Sequence, residues 1–223
     1  MILLEKTEVL GWEAAIRGMR NPLNSWDKSD SCFWHDPTCG NNTDCSKCAD
    51  QFTFDCSCQD IGKNDLDLMT KLRNAGTDHR KFMRMISVYV DITAPLYWWK
   101  EFDTYKVGTV ANSCSTMHKI HVRAFTRRDF SYEQLEPWAL EILDSVIWGL
   151  NCAREYYVKD KNKADWWQMI QLLPSSYNQK RTVMLNYEVL ANIYKSRKSH
   201  KLDEWHELCH WIEGLPYSEL ITG

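Results

Sequence analysis

The spacing of apolar residues changes several times along the chain, and each change predicts an element. Residues 1–20 read as a short strand followed by a helix, with Trp12, Ala15, Ile16 and Met19 at helical spacing until Asn21-Pro22 stops them. From Asn24 to Asp60 aliphatic side chains are few and Asp, Ser, Asn, Thr and Cys dominate, the pattern of a loop or insertion that builds no apolar core of its own. Periodicity returns at Asn64. There Asn64 or Asp65 is expected to cap a helix that turns Leu66, Leu68, Met69 and Leu72 inward and ends near Gly76.

Residues 85–92 alternate as a strand does. Pro95 then opens a predicted helix of about ten residues whose broad apolar face carries Trp98, Trp99, Phe102 and Tyr105. A polar loop, 109–118, follows Gly108, and a basic linker, 119–129, leads into a long helix over about 131–159 with Leu135, Trp138, Ile142, Val146 and Leu150 on one side. Further helices are expected from Lys163, over about 178–195, and from Leu202 to Ile212.

A chain of 223 residues and 26.3 kDa fits one domain, 1–223, interrupted by the Cys-rich insertion at about 24–60. The net charge of −3, with basic residues scattered except for Arg123, Arg127 and Arg128, argues against duplex nucleic acid as a partner. Eleven Trp and ten Tyr are many for this length and point to a thick core, a subunit interface or planar ligands. The start, Met1 to Glu8, lacks the cationic and apolar runs of a signal peptide, and no stretch approaches eighteen uncharged apolar residues. A cytoplasmic protein with no membrane partner is therefore expected.

Six of the nine cysteines crowd into 27 residues, and such clustering in a cytoplasmic chain favours metal over disulfide. Cys45 and Cys48 have the bite of a zinc knuckle, and Cys56 with Cys58 supplies a second pair for a structural zinc. Reduced thiols and disulfides stay open as alternatives, while the usual iron–sulfur runs are absent. The motifs GxGxxG, GxxxxGK, HExxH and GxSxG are also absent, which removes support from common nucleotide-binding, zinc-protease and hydrolase readings.

The central stretch from Ile92 to Met117 has the layout of a ligand loop held by rigid elements. Flat, weakly polar rings suit Trp98, Trp99, Tyr105 and Trp205, and phosphates need fixed cations such as Lys106, His118, Lys119, Arg123 and Arg197. Here the chain resembles the flavin-dependent thymidylate synthases, in which a strand and an Ala-Pro helix start precede the motif RHRxxSxNExSxR. Placed without gaps from Ala94-Pro95, that motif falls on Thr104 to Thr116. Tyr105 takes its His, Lys106 its second Arg, Thr109 its first Ser, Ala111 its Asn, Asn112 its Glu and Cys114 its second Ser. Thr104 and Thr116 replace its first and last Arg.

A second segment is similar in order and spacing. The family's Leu-Pro turn, its N-x-R-S-L helix, an Arg eleven residues beyond that Asn and a His before an A-Q-W-E helix correspond to Leu173-Pro174, Asn186, Leu190, Arg197, His200 and Asp203 to His206. The resemblance covers most of residues 64–213 and leaves 24–60 as an insertion.

What the resemblance implies is an α+β fold, a small antiparallel sheet flanked by several helices with one long central helix, assembled as a homotetramer. It also implies methylation of dUMP to dTMP with methylenetetrahydrofolate, FAD and NADPH, a methyltransferase step of nucleotide biosynthesis. Asn186, His200, Lys106 and Tyr105 become cofactor-side candidates. Thr109, Asn112, Cys114, Thr116 and Arg197 become substrate-side candidates, with Arg197 on the pyrimidine as the catalytic candidate. Cys114 is not read as a nucleophile: no His is placed by sequence to activate it, and the flavin family uses no protein nucleophile. The loss of two motif arginines keeps alternatives open: a homologue that binds a nucleotide or flavin without synthase activity, or an enzyme for a different pyrimidine nucleotide.

Overall fold

The computed structural model describes residues 1–33 and 61–223. Cys45, Cys48, Cys56 and Cys58 lie outside the described residues. The chain forms two compact units, one of Leu10–Ile86 and one of Met1–Val9 with Ser87–Gly223.

The Leu10–Ile86 unit contains α1 (Trp12–Arg20) and α2 (Lys63–Asn74). Trp12, Ala15, Ile16 and Met19 are buried as their spacing predicts. Gly11 precedes α1 at φ 96°, and a Cβ there would come within 2.2 Å of the Met85 carbonyl oxygen, so only glycine fits. The cap of α2 differs from expectation. Gly62 is the N-cap residue, and the Asp30 carboxylate accepts from the backbone N–H groups of Asn64 (2.9 Å) and Asp65 (3.1 Å).

The Asp65 side chain turns inward instead. It accepts from Arg20 Nε at 2.6 Å, from the Ser29 and Ser31 hydroxyls at 2.7 and 2.6 Å, and from the N–H groups of Asp30 and Ser31. Ser31 Oγ accepts in turn from Gly62 N at 3.0 Å. Residues 29–31 and 62–65 are thereby tied together, so the chain leaves for the Cys-rich segment and returns from it at one place. Arg20 and Asp65 are both buried; their pair is tolerated because the remaining lone pairs and donors are also satisfied.

The second unit is built on a small antiparallel sheet in the order β1-β2-β4-β3, with β1 (Leu3–Leu10), β2 (Ser87–Pro95), β3 (Val110–Ser113) and β4 (Asn178–Asn186). Val88, Val90, Ile92 and Ala94 alternate into the core opposite Leu185, Val183, Arg181 and Gln179. Around the sheet lie α3 (Leu96–Phe102), α4 (Pro137–Asp160), α5 (Lys163–Leu172), α6 (Tyr187–Arg197), α7 (Asp203–Glu213) and the short α8 (Glu219–Thr222). A separate apolar cluster joins Leu143, Leu150 and Ala153 of α4 to Met169 of α5 and to Ile120, Phe125 and Phe130.

Several expectations are corrected here. Residues 178–186 are a strand, not the first half of a helix, so the helix predicted over 178–195 begins only at Tyr187. Four residues of the polar loop form β3, whose side chains are all exposed and so leave no hydrophobic alternation in the sequence. The long helix starts at Pro137 rather than 131, and α3 is seven residues long. The buried side of α4 is Leu143, Leu150 and Ala153, whereas Trp138 (67% exposed), Ile142 (57%) and Trp148 (72%) face outward. The basic linker contributes Ile120 and Phe125 to the core and ends in a turn where Thr126 and Asp129 cap each other.

Candidate functional site

The site is built from residues upward around α3. Its sequence Leu-Tyr-Trp-Trp-Lys-Glu-Phe buries Trp98, Trp99 and Phe102, with Trp98 stacked on Phe102 at 5.0 Å and tilted against Trp205 of α7 at 4.8 Å. Glu101 is the acid that this aromatic helix carries to its far end. Its Oε2 accepts from Arg197 Nη1 at 2.9 Å and from Trp205 Nε1 at 2.8 Å, and lies 3.4 Å from His200 Nε2.

Arg197, the last residue of α6, is the hub. Its Nε donates to the Tyr105 hydroxyl at 2.9 Å, its guanidinium lies 4.5 Å from the Trp205 ring centroid, and Nη2 has no hydrogen-bond partner among the described residues. His200 follows in the turn after α6, and its Nδ1 accepts from the Leu202 N–H at 3.2 Å. The neutral ring therefore carries its proton on Nε2, facing Glu101. An arginine, a histidine and an indole thus converge on one carboxylate, and a phenol backs the arginine, leaving the second carboxylate oxygen and one guanidinium nitrogen for a ligand.

Asn186 has a different position from the one its spacing predicts. Eleven residues separate it from Arg197, but it precedes α6 as the N-cap in extended conformation, so the two do not project from one helical face. Its Oδ1 accepts from Val189 N at 3.0 Å, and its Nδ2 donates to the Gly108 carbonyl at 3.4 Å. Gly108 has φ 75°, and a Cβ there would approach Asn186 Nδ2 to 2.8 Å. The amide thereby fixes the loop after Tyr105 against the start of α6.

Of the remaining candidates, Lys106 is exposed and has no acidic partner among the described residues. Thr109 Oγ1 is enclosed and unpartnered. Asn112 lies on β3 opposite Thr182, and Cys114 is exposed, its carbonyl accepting from Gln179 Nε2 at 2.8 Å. Thr116 is half-buried. The structure brings Tyr105, Arg197 and His200 together; Lys106, Asn112, Cys114 and Thr116 make no hydrogen bond with that group. Arg123, a proposed phosphate cation, is ion-paired with Asp129. No group of three or more His, Cys, Asp or Glu among the described residues is placed to hold a metal ion, and none of their helices is long and apolar enough to cross a membrane.

Sequence reasoning missed Glu101 and Arg181. The signal for Glu101 was an acid four residues before Tyr105 on an otherwise aromatic helix face. Arg181 is on the inward side of β4, its guanidinium 4.1 Å from the Trp99 centroid and its Nη1 2.7 Å from Asp103 Oδ1, while Nε donates to Gln179 Oε1. It was hidden inside a segment read as helix.

Neither protein-family models nor curated protein sequences match the chain. Solved structures do. The flavin-dependent thymidylate synthase from Helicobacter pylori, complexed with FAD and dUMP, matches with a TM-score of 0.65 at 15% identity over 99% of this chain and 97% of that one. The chain has the fold of the flavin-dependent thymidylate synthases. Another structure of the Helicobacter pylori enzyme with FAD and dUMP gives 0.67 at 13% identity, over 100% and 96%. A UMP/dUMP methylase from Streptomyces cacaoi, bound with 5-Br dUMP, gives 0.57 at 12% identity, over 100% and 93%. At such identities this is a divergent example of the flavin-dependent thymidylate synthase fold, and the side chains of its site have to be read on their own chemistry.

Proposed function

We propose that the chain is a flavin-dependent methyltransferase acting on a uracil nucleotide, with dUMP as substrate. The carrying observation is the convergence of Tyr105, Arg197 and His200, drawn from two segments some ninety residues apart, on Glu101 and Trp205. Arg197 Nη2 is a fixed donor for a pyrimidine carbonyl, and its stacking on Trp205 keeps the guanidinium plane from turning away. The fit to FAD is supported by enclosed donors with nothing to bind, Thr109 Oγ1 and Trp98 Nε1. Tyr105 and Lys106 would lie along the flavin, with Asn186 holding their loop and His200 supporting the same edge. FAD, reduced by NADPH, supplies the hydride, and methylenetetrahydrofolate supplies the one-carbon unit.

The protein's own part is to bind, orient and polarise: Arg197 orients the ring, and Glu101 holds Arg197 and the Trp205 indole in register. Outward-facing Trp138, Ile142 and Trp148 on α4 and Trp167 on α5 support assembly into a homotetramer. A second reading, a nucleotide-binding homologue without synthase activity, is favoured by Thr104 and Thr116 standing where the motif has arginines and by the engagement of Arg123 with Asp129.

The deciding experiment is a visible spectrum of the purified protein before and after incubation with FAD, followed by tritium release from [5-³H]dUMP. A yellow protein that releases tritium only with methylenetetrahydrofolate and NADPH supports the methyltransferase. A protein that binds flavin or dUMP without turnover supports the second reading, and one that binds neither refutes both.

A further inference from the structure

A hollow of about 300 Å³ lies between residues 117–118, the end of α4 and the start of α5, lined by Met117, His118, Tyr157, Lys161, Lys163 and Trp166. None of these residues belongs to the group around Arg197. The volume is at the lower end of small-molecule sites, which run from roughly 300 to 1,000 Å³. Its walls are two aromatic rings, and its rim is basic.

The walls are fixed by the surrounding structure. Trp166 Nε1 donates to the Met117 carbonyl at 2.9 Å, which holds the indole against the loop, and Tyr157 meets the His121 ring edge-on at 4.9 Å. Lys161 Nζ is 5.2 Å from the Tyr157 centroid, and Lys163 opens α5 directly after the Asn162 cap. Neither lysine has an ion-pair partner among the described residues. Arg154, bonded to the His121 carbonyl, adds a further positive charge behind the wall.

His121 registers the same field. Burial holds its pKa below the ordinary value, and the charges of Lys161, Lys119 and Arg154 lower it further, while its Nδ1 is enclosed without a partner. A positive potential beside aromatic rings is the chemistry that recognises a phosphate on a planar base.

We propose that this hollow binds a nucleoside 5′-monophosphate, with the base against Trp166 and Tyr157 and the phosphate at Lys161, Lys163 and His118. Stacking is tolerant of base identity because every base has a π-face, so the site accepts purines as well as pyrimidines. It stands independently of the pyrimidine reading of Arg197.

The test is calorimetric titration of the full chain with AMP, adenosine and inorganic phosphate. AMP should bind at least about tenfold more tightly than adenosine or phosphate, since only AMP engages both the rings and the cations. The double variant Lys161→Asn/Lys163→Gln should weaken AMP by about tenfold, the worth of charge-assisted hydrogen bonding at a partly exposed site. Asn suits position 161 because its φ is 52°. The thermal midpoint should stay put, and Arg197→Ala should leave AMP affinity unchanged. Should the double variant unfold, Lys163→Gln alone should still weaken AMP by about threefold. No AMP binding by the parent chain, or affinity indifferent to the lysines, overturns the proposal.

Discussion

Replacing Arg197 by Ala removes the hub of the candidate site, and its cost separates into two readable parts. For stability, the substitution deletes the hydrogen bonds to Tyr105 and Glu101 and the face-on packing against Trp205. The pair with Glu101 is partly exposed, so solvent screening limits its share to about 1 kcal/mol, a fall of about 2–4 °C in thermal midpoint for a chain of this size. For dUMP, the deleted donor is charged and fixed, worth roughly 1.5–3 kcal/mol, or about ten- to 150-fold in Kd. Arg197→Lys should recover the charge but not the planar fork, and so should bind between the two. Calorimetry with dUMP and absorbance of bound flavin measure both sides, and flavin content should barely change. Equal dUMP affinity in parent and Arg197→Ala protein would refute the assignment of this residue to the pyrimidine.

Three further outcomes follow from separate parts of the molecule. Asn186→Ala should cost about 1 kcal/mol through loss of the α6 cap, and should raise protease cleavage between 103 and 109 because Gly108 loses its tether; unchanged cleavage would detach Asn186 from that loop. Burial raises the pKa of Asp65, but hydrogen bonds from Ser31, Ser29 and Arg20 and the Arg20 charge outweigh it and hold the carboxyl below its usual value. Its stabilisation is therefore complete above the unfolded pKa of about 4 and is lost as pH falls through the lower folded value. The parent should lose more stability than Asp65→Asn between about pH 5 and pH 2 in denaturant titrations, and parallel curves would count against this. If Cys45, Cys48, Cys56 and Cys58 hold zinc, metal analysis should find about one per chain, and chelation should speed proteolysis within residues 30–60 before the rest; metal-free protein with the same digestion pattern would dismiss zinc.

The parts of the fold legible in the sequence were those with punctuation. Asn21-Pro22 closes α1, Pro95 opens α3, and Gly76 ends the segment after α2, each through backbone constraints that act locally. Residues 178–197 have no glycine or proline, and Gln179, Lys180 and Arg181 are ordinary helix formers. The strand that forms there is imposed by nine residue pairs with β2, a tertiary effect with no local signature. On α4 the sequence offers two apolar sides, and periodicity does not say which one the chain itself covers. At the site, Arg197, His200 and Tyr105 were found through motif order, but Glu101 was not. Acids on helices are usually solvated, and only the approach of α6 and α7 makes this one a shared acceptor.

The charge distribution of that group carries a consequence for what it recognises. Thr104 and Thr116 offer no charge, Arg123 is committed to Asp129, and Arg181 is committed to Asp103 and the Trp99 face. Arg197 is itself half-neutralised by Glu101, so its remaining donor suits a carbonyl better than a phosphate dianion. Lys106 is then the one exposed cation in the stretch 104–109. Recognition at this site should rest on the ring, and deoxyuridine should bind no worse than about fivefold more weakly than dUMP, the worth of one exposed charge contact of about 1 kcal/mol. Lys106→Gln should close most of that gap if the side chain proposed beside the flavin also reaches the phosphate, since Lys106 is the cation the stretch 104–109 supplies. Competition between the nucleoside and the nucleotide in the parent and variant proteins measures this directly. A hundredfold preference for dUMP that survives Lys106→Gln would mean that other cations hold the phosphate and that ring recognition is not what this site mainly does.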